Sequence, residues 1–178
     1  MDRIDAAHRQ DPAGRAIEYA RRVTRWLERL TPRPSPALAI AVRAQHLRRW
    51  EIPRAGYPEG RSGYLRWRRA CARHHGEQAA LLLDELGIPA ALTERVAALI
   101  RKEGLGRDSE TQMLEDAACL SFLESELAGF AQGGDSEVLR RVLSRTWTKM
   151  SPRARQLALA LDVSPPLAEI VGGIRAQG

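Results

Sequence analysis

An all-α fold is predicted by three features of the 178-residue sequence. Apolar residues recur at steps of three and four along nearly its whole length. Pro and Gly fall in a few discrete clusters between those stretches. No segment alternates apolar and polar residues with the β-branched enrichment of a strand. With 44% hydrophobic and 28% charged residues, the chain can bury a core and does not have the composition of a disordered one. The length suits one domain, so residues 1–178 are read as a single compact multi-helix bundle.

The start, MDRIDAAHRQDP, is polar where a signal peptide would be apolar, and no apolar run approaches the roughly 20 residues that span a bilayer. The expectation is a cytoplasmic protein with no membrane contact. Asp11 and Pro12 make an N-cap and first-turn pair for a helix over 12–30, with Ala16, Ala20, Val23, Leu27 and Leu30 on one face. TPRPSP ends it. Ser35 caps a second helix, 36–50, which would place Leu38, Ala39, Val42 and His46 on one side. EIPRAGYPEGRSG, rich in Pro and Gly, predicts the longest loop. The strongest stripe follows over 62–86: Tyr64, Trp67, Cys71, His75, Ala79, Leu82 and Leu86, stopped by Gly87. Further helices are predicted at 89–103, 109–131 and 135–148. Ser151 with Pro152 starts another, to 162, and Ser164 with Pro165 a last short one.

The net charge of +6 is uneven. Residues 1–42 carry +3, residues 43–73 carry +7 and residues 74–178 carry −4. The middle segment, with nine Arg against Glu51 and Glu59, suggests an anionic partner such as a phosphate ester or nucleic acid. The competing explanation is an Arg-rich composition, with 26 Arg against Lys102 and Lys149, in which the charges are simply solvated on helix faces. Cys71 and Cys119, far apart and inside helical patterns, support neither a disulfide framework nor a metal knuckle.

Three polar residues sit on apolar faces: His75 with Trp67 and Cys71, His46 with Leu38 and Val42, and Asp116 at the head of Leu120, Leu123, Leu127 and Phe130. A buried imidazole needs a partner. One shared site explains all three, with His46, His75 and Asp116 holding a divalent metal ion. Taken singly, each histidine is equally a hydrogen-bonded core residue, and Asp116 an Arg partner. Glu115, Glu77 and Glu103 are reserve carboxylates, and Glu115 or Glu77 is the candidate for moving a proton. The loop and its flanks add Arg48, Arg49, Trp50, Arg54, Tyr57, Arg61, Tyr64, Trp67, Arg68 and Arg69. Guanidinium forks take phosphate oxygens in pairs, and rings stack on bases or on Arg. Arg48, Arg49, Arg54, Tyr57, Arg61 and Arg68 are therefore candidates for substrate contact, with Lys149 of TWTKMSP.

The strings AQHLRRWEIPRAGYPEGRSGYLRWR, HHGEQA, QMLEDAACLSFLE and TWTKMS resemble the family called domain of unknown function 4202, over nearly the whole chain. That resemblance implies no activity. The chain lacks the α/β nucleotide-binding pattern and the length of a tRNA synthetase, so the KMS string carries no such reading. More distantly, the chain is similar to the HD superfamily of helical metal-dependent phosphohydrolases. There His46 matches the His of the His-Asp pair, His75 a later His and Asp116 the final Asp, although Leu47 stands where the paired Asp would be. The resemblance implies an HD-like helical bundle and a divalent metal.

The leading expectation is thus a divalent-metal-dependent phosphohydrolase acting on a nucleotide-like or small phosphate ester. Arg49, Arg54 and Arg61 would neutralise the phosphate. The alternative is a non-catalytic module that grips RNA or a nucleotide with the Arg-rich 43–73 surface. A third is a helical scaffold for an acidic protein.

Overall fold

The computed structural model describes residues 1–131, 136–161 and 172–173, and every regular element among them is helical. The chain is all-α. In order come α1 (Asp2–His8), α2 (Ala16–Leu30), α3 (Pro36–Ala44), α4 (Gly60–Glu85), α5 (Ala90–Ile100), α6 (Ser109–Ala131), α7 (Ser136–Lys149) and α8 (Pro152–Leu159). Two short 3-10 turns, Arg49–Glu51 and Arg54–Gly56, lie between α3 and α4. The chain divides into two compact units, Met1–Leu114 and Glu115–Gly178, with the division inside α6.

In the first unit α2 packs on α3, and both α3 and α4 pack on α5. Val23, Leu27, Leu38, Val42, Leu47, Val96 and Leu99 are fully buried there, each side chain contributing about 1.5–3 kcal/mol of transfer free energy. The predicted α4 stripe is buried at Trp67, Cys71, His75 and Ala79, and continues at Leu83 rather than Leu82. Tyr64 and Leu86, at its ends, are exposed.

α1 was not foreseen. Seven residues are too few to hold a helix alone, and tertiary bonds supply what the local sequence does not. His8 Nε2 lies 2.8 Å from the Arg43 carbonyl, and the Arg43 guanidinium meets both Asp5 oxygens at 2.7 Å and Thr24 Oγ1 at 3.2 Å. Arg43, counted within the basic segment, is therefore neutralised. Asp11 is not the N-cap, which is Arg15, but it ties the preceding turn by accepting from the backbone N–H groups of Ala13, Arg15 and Ala16. It does so ahead of a helix that begins at Ala16, not at Pro12.

The larger correction concerns the second predicted helix. α3 has the expected cap, Ser35 Oγ accepting from Leu38 N–H, but stops at Ala44, and residues 45–48 form a turn that ends with Arg48 in the left-handed region at φ 52°. His46 sits in that turn and not on a helix face. α4 begins at Gly60, at φ 78°, and its first turn presses so closely on the loop that a Cβ at Gly63 would collide with the Pro58 carbonyl.

In the second unit Leu120, Leu143, Met150 and Ala154 are buried. Ser151 Oγ caps α8 by accepting from Ala154 N–H, while Ser151 N–H donates to Asp116 Oδ1 at 2.9 Å. The helix expected from Ser164 and Pro165, and the side chains of Leu127 and Phe130, lie outside the described residues. No helix among the described residues is long and apolar enough to cross a membrane.

Candidate functional site

The first unit brings His46 and His75 together, their ring centroids 5.6 Å apart at 47°. Different elements deliver them: the turn after α3 carries His46, and the buried face of α4 carries His75. Tyr19 of α2 stacks on His46 at 4.2 Å and 12°. In the sequence Tyr19 carries no signal of this contact beyond its position at the flank of the α2 apolar face.

His75 is held from one side. Its Nδ1 lies 2.8 Å from the Leu47 carbonyl; a carbonyl only accepts, so Nδ1 carries the proton and Nε2 presents a bare lone pair. That Nε2 is buried and has no hydrogen-bond partner among the described residues. Burial is the main cause that lowers the His75 pKa to about 3; the Leu47 bond works against the shift, and the charges of Arg49, His74 and Arg68 add to it. His46 keeps some exposure, yet dense packing holds its pKa well below the imidazole range, followed by the charges of Arg49, His75, Lys102 and Arg68. Both rings are neutral at neutral pH.

The arginines around the pair are placed by recognisable contacts. Trp67 Nε1 donates to the Ile52 carbonyl at 2.9 Å, anchoring the loop on α4. The Arg49 guanidinium then lies 4.7 Å over the Trp67 ring, a cation–π contact that orients the fork without neutralising it. Arg68, one residue on, is half-buried. Burial raises the Cys71 pKa, with Arg49 and Arg68 opposing it. Glu51, one of the two acids of this loop, lies 3.1 Å from His74 Nε2 without the alignment of a hydrogen bond, and 3.4 Å from Arg48.

Other predicted residues serve elsewhere. Arg54 donates to the carbonyls of Tyr57 and Pro58, so it braces its own loop. Arg48 faces Glu51. Tyr57 is half-buried, and Arg61 lines an open groove on α4 with Ser62, Leu65, Arg66 and Arg69. Glu77 is exposed. Asp116, Glu115 and Lys149 belong to the second unit. There Asp116 is buried and takes the Ser151 N–H, and Lys149 Nζ lies 3.7 Å from the buried Glu115 carboxylate. Glu103 holds Arg101 at 2.6 Å. Among the described residues no group of three or more His, Cys, Asp or Glu is placed to hold a metal ion, so the set of His46, His75 and Asp116 gains no support as a three-ligand centre.

No curated protein and no solved structure matches the chain. A family model does, over residues 1–171, and its description is domain of unknown function. With nearly every residue inside that match, the chain belongs to the DUF4202 family.

Proposed function

We propose that the first unit binds a phosphate-bearing small molecule, best a nucleotide, beside His46 and His75, and that it does so in the cytoplasm. The observation that carries this reading is the charge around the imidazole pair. After burial and the Leu47 hydrogen bond, the groups acting on the two rings are Arg49, Arg68, Lys102 and the neighbouring histidines, all cationic or neutral. Such a field favours an anion. Arg49 and Arg68 would take the phosphate oxygens as charged forks. His75 Nε2, a buried acceptor without a donor, suits a sugar hydroxyl or base amino group, and a nucleotide supplies both kinds of group.

Calorimetric titration with nucleoside mono- and triphosphates, sugar phosphates and inorganic phosphate tests the reading. Arg49→Gln and Arg68→Gln should each weaken binding about 10- to 100-fold, the worth of a charged hydrogen bond. Failure of every phosphate compound to bind, or binding indifferent to both substitutions, would overturn it.

One feature favours a second reading, a metal-dependent phosphohydrolase. An imidazole whose Nδ1–H is held by a backbone carbonyl and whose Nε2 is bare is oriented as metal-binding histidines are, and both rings are neutral, as ligands must be. His46 and His75 would hold the divalent ion, which supplies an activated water when bound. Two imidazoles fall short of the three protein ligands of a catalytic zinc centre. Metal analysis of the purified protein decides: metal retained by the wild type and lost in His46→Ala and His75→Ala supports this reading, and a wild type that takes up no Zn²⁺ or Mn²⁺ eliminates it.

A further inference from the structure

The outward side of α4 carries a cationic feature separate from the imidazole pair. From Gly60 to Gly76 the chain has no acidic residue. Arg61, Arg66, Arg69 and Arg73 are exposed along this stretch, and among the described residues none of the four has an acidic partner or a side-chain hydrogen bond. Many arginines elsewhere are engaged: Arg21 with Glu18, Arg43 with Asp5, Arg95 with Asp108 and Glu110, Arg101 with Glu103. Arg25, Arg33 and Arg153 are also without an acidic partner among the described residues, so what sets this stretch apart is four exposed arginines on one helix with no acidic residue between them. At 100° per residue the four span an arc of about 140°, and at 1.5 Å per residue they run about 18 Å along the helix. Between them lies an open groove of ≈ 370 Å³ lined by Arg61, Ser62, Leu65, Arg66 and Arg69. Tyr64 and Leu65 are exposed beside it, at 45% and 42%.

We propose that this face of α4 docks the phosphodiester backbone of a nucleic acid. One phosphate group cannot meet four guanidinium groups spread over that length, whereas a strand rising 3.4 Å per nucleotide offers about five phosphates along it. Arg is the side chain suited to those oxygens, and an exposed ring and an apolar side chain at the groove give a base a surface to lie on. A membrane surface is the poorer fit, because an interfacial helix needs a broad apolar face turned outward, and here Trp67, Cys71, His75 and Ala79 face the core.

The test is fluorescence anisotropy of the full chain with a labelled 20-nucleotide RNA and a 20-base-pair DNA duplex, from 50 to 200 mM salt. Four phosphate contacts predict a log–log slope of about −3 to −3.5, which is a loss of about 50- to 150-fold across that range. Arg66→Gln with Arg73→Gln should reduce the slope by about 1.5, and Arg66→Glu with Arg73→Glu should abolish binding. Both positions are exposed, and circular dichroism confirms that the variants fold. Binding of either oligonucleotide in this pattern supports the proposal, and the stronger one identifies the strand type. Absence of binding at 50 mM salt, or binding unchanged in both double variants, overturns it. Capture by phosphatidylserine vesicles or polyglutamate in place of the oligonucleotides overturns it as well. Titration of a nucleotide into the same variants keeps the proposed site at the imidazole pair separate, since Arg49 and Arg68 are untouched.

Discussion

Leu47 contributes more through its carbonyl than a buried leucine ordinarily would. One bond from His75 Nδ1 fixes the imidazole tautomer, ties α4 to the turn after α3 and leaves Nε2 facing inward with a bare lone pair. Replacing His75 with Leu keeps the volume but strands that carbonyl, and should cost about 1–3 kcal/mol. His75→Asn, whose side-chain amide can donate in place of Nδ1–H, should recover part of the loss; equal urea midpoints for the two variants would contradict this. At this scale the sequence was legible where a residue sat inside a long stripe. His75 and Trp67 are buried as their spacing predicts, and so is Asp116. Their partners were not legible, because Leu47, Ile52 and Ser151 answer with backbone groups, which every residue possesses.

The helices whose ends are marked by Pro, Gly or a capping hydroxyl were read closely, α4, α6 and α8 among them. α3 ends short of the predicted 36–50 although AVRAQHLRRW contains no stop signal; Arg48 takes the left-handed strain itself, and the stop comes from tertiary bonding. α1 went unread for the converse reason, a weak local helix secured by Asp5 and His8. The junction between the loop and α4 is the most constrained element boundary. Gly63→Ala forces a methyl group against the Pro58 carbonyl, and the loop or the first turn of α4 must move. A destabilisation of about 3 kcal/mol or more is expected in chemical denaturation, larger than for Gly87→Ala, where φ is 68° but the space around the Cβ is open.

For the whole molecule, several imidazoles are stored neutral. His8, His46 and His75 all have folded pKa values below 6.5, with burial the leading cause each time. The unfolded chain takes up protons before the folded one does, so stability is fully present above about pH 6.5 and falls as the pH drops. His75 alone, with a folded pKa of about 3, should account for about 2 kcal/mol lost between pH 7 and pH 5. Urea midpoints at the two pH values measure it, and His75→Asn should flatten the dependence. A wild-type midpoint that is constant or rises on acidification would contradict the burial of these rings. The division into two units was not legible, because helical periodicity runs through α6 and composition does not change there. One consequence reaches back to α4, which turns Trp67, Cys71 and His75 inward and Arg66, Arg69 and Arg73 outward on the same three turns. The two surfaces share one rotational phase. Inserting a single residue there would swing everything beyond it by about 100°, moving imidazole and guanidinium together. Between Trp67 and His75 the helix can therefore accept substitutions but not a change in length.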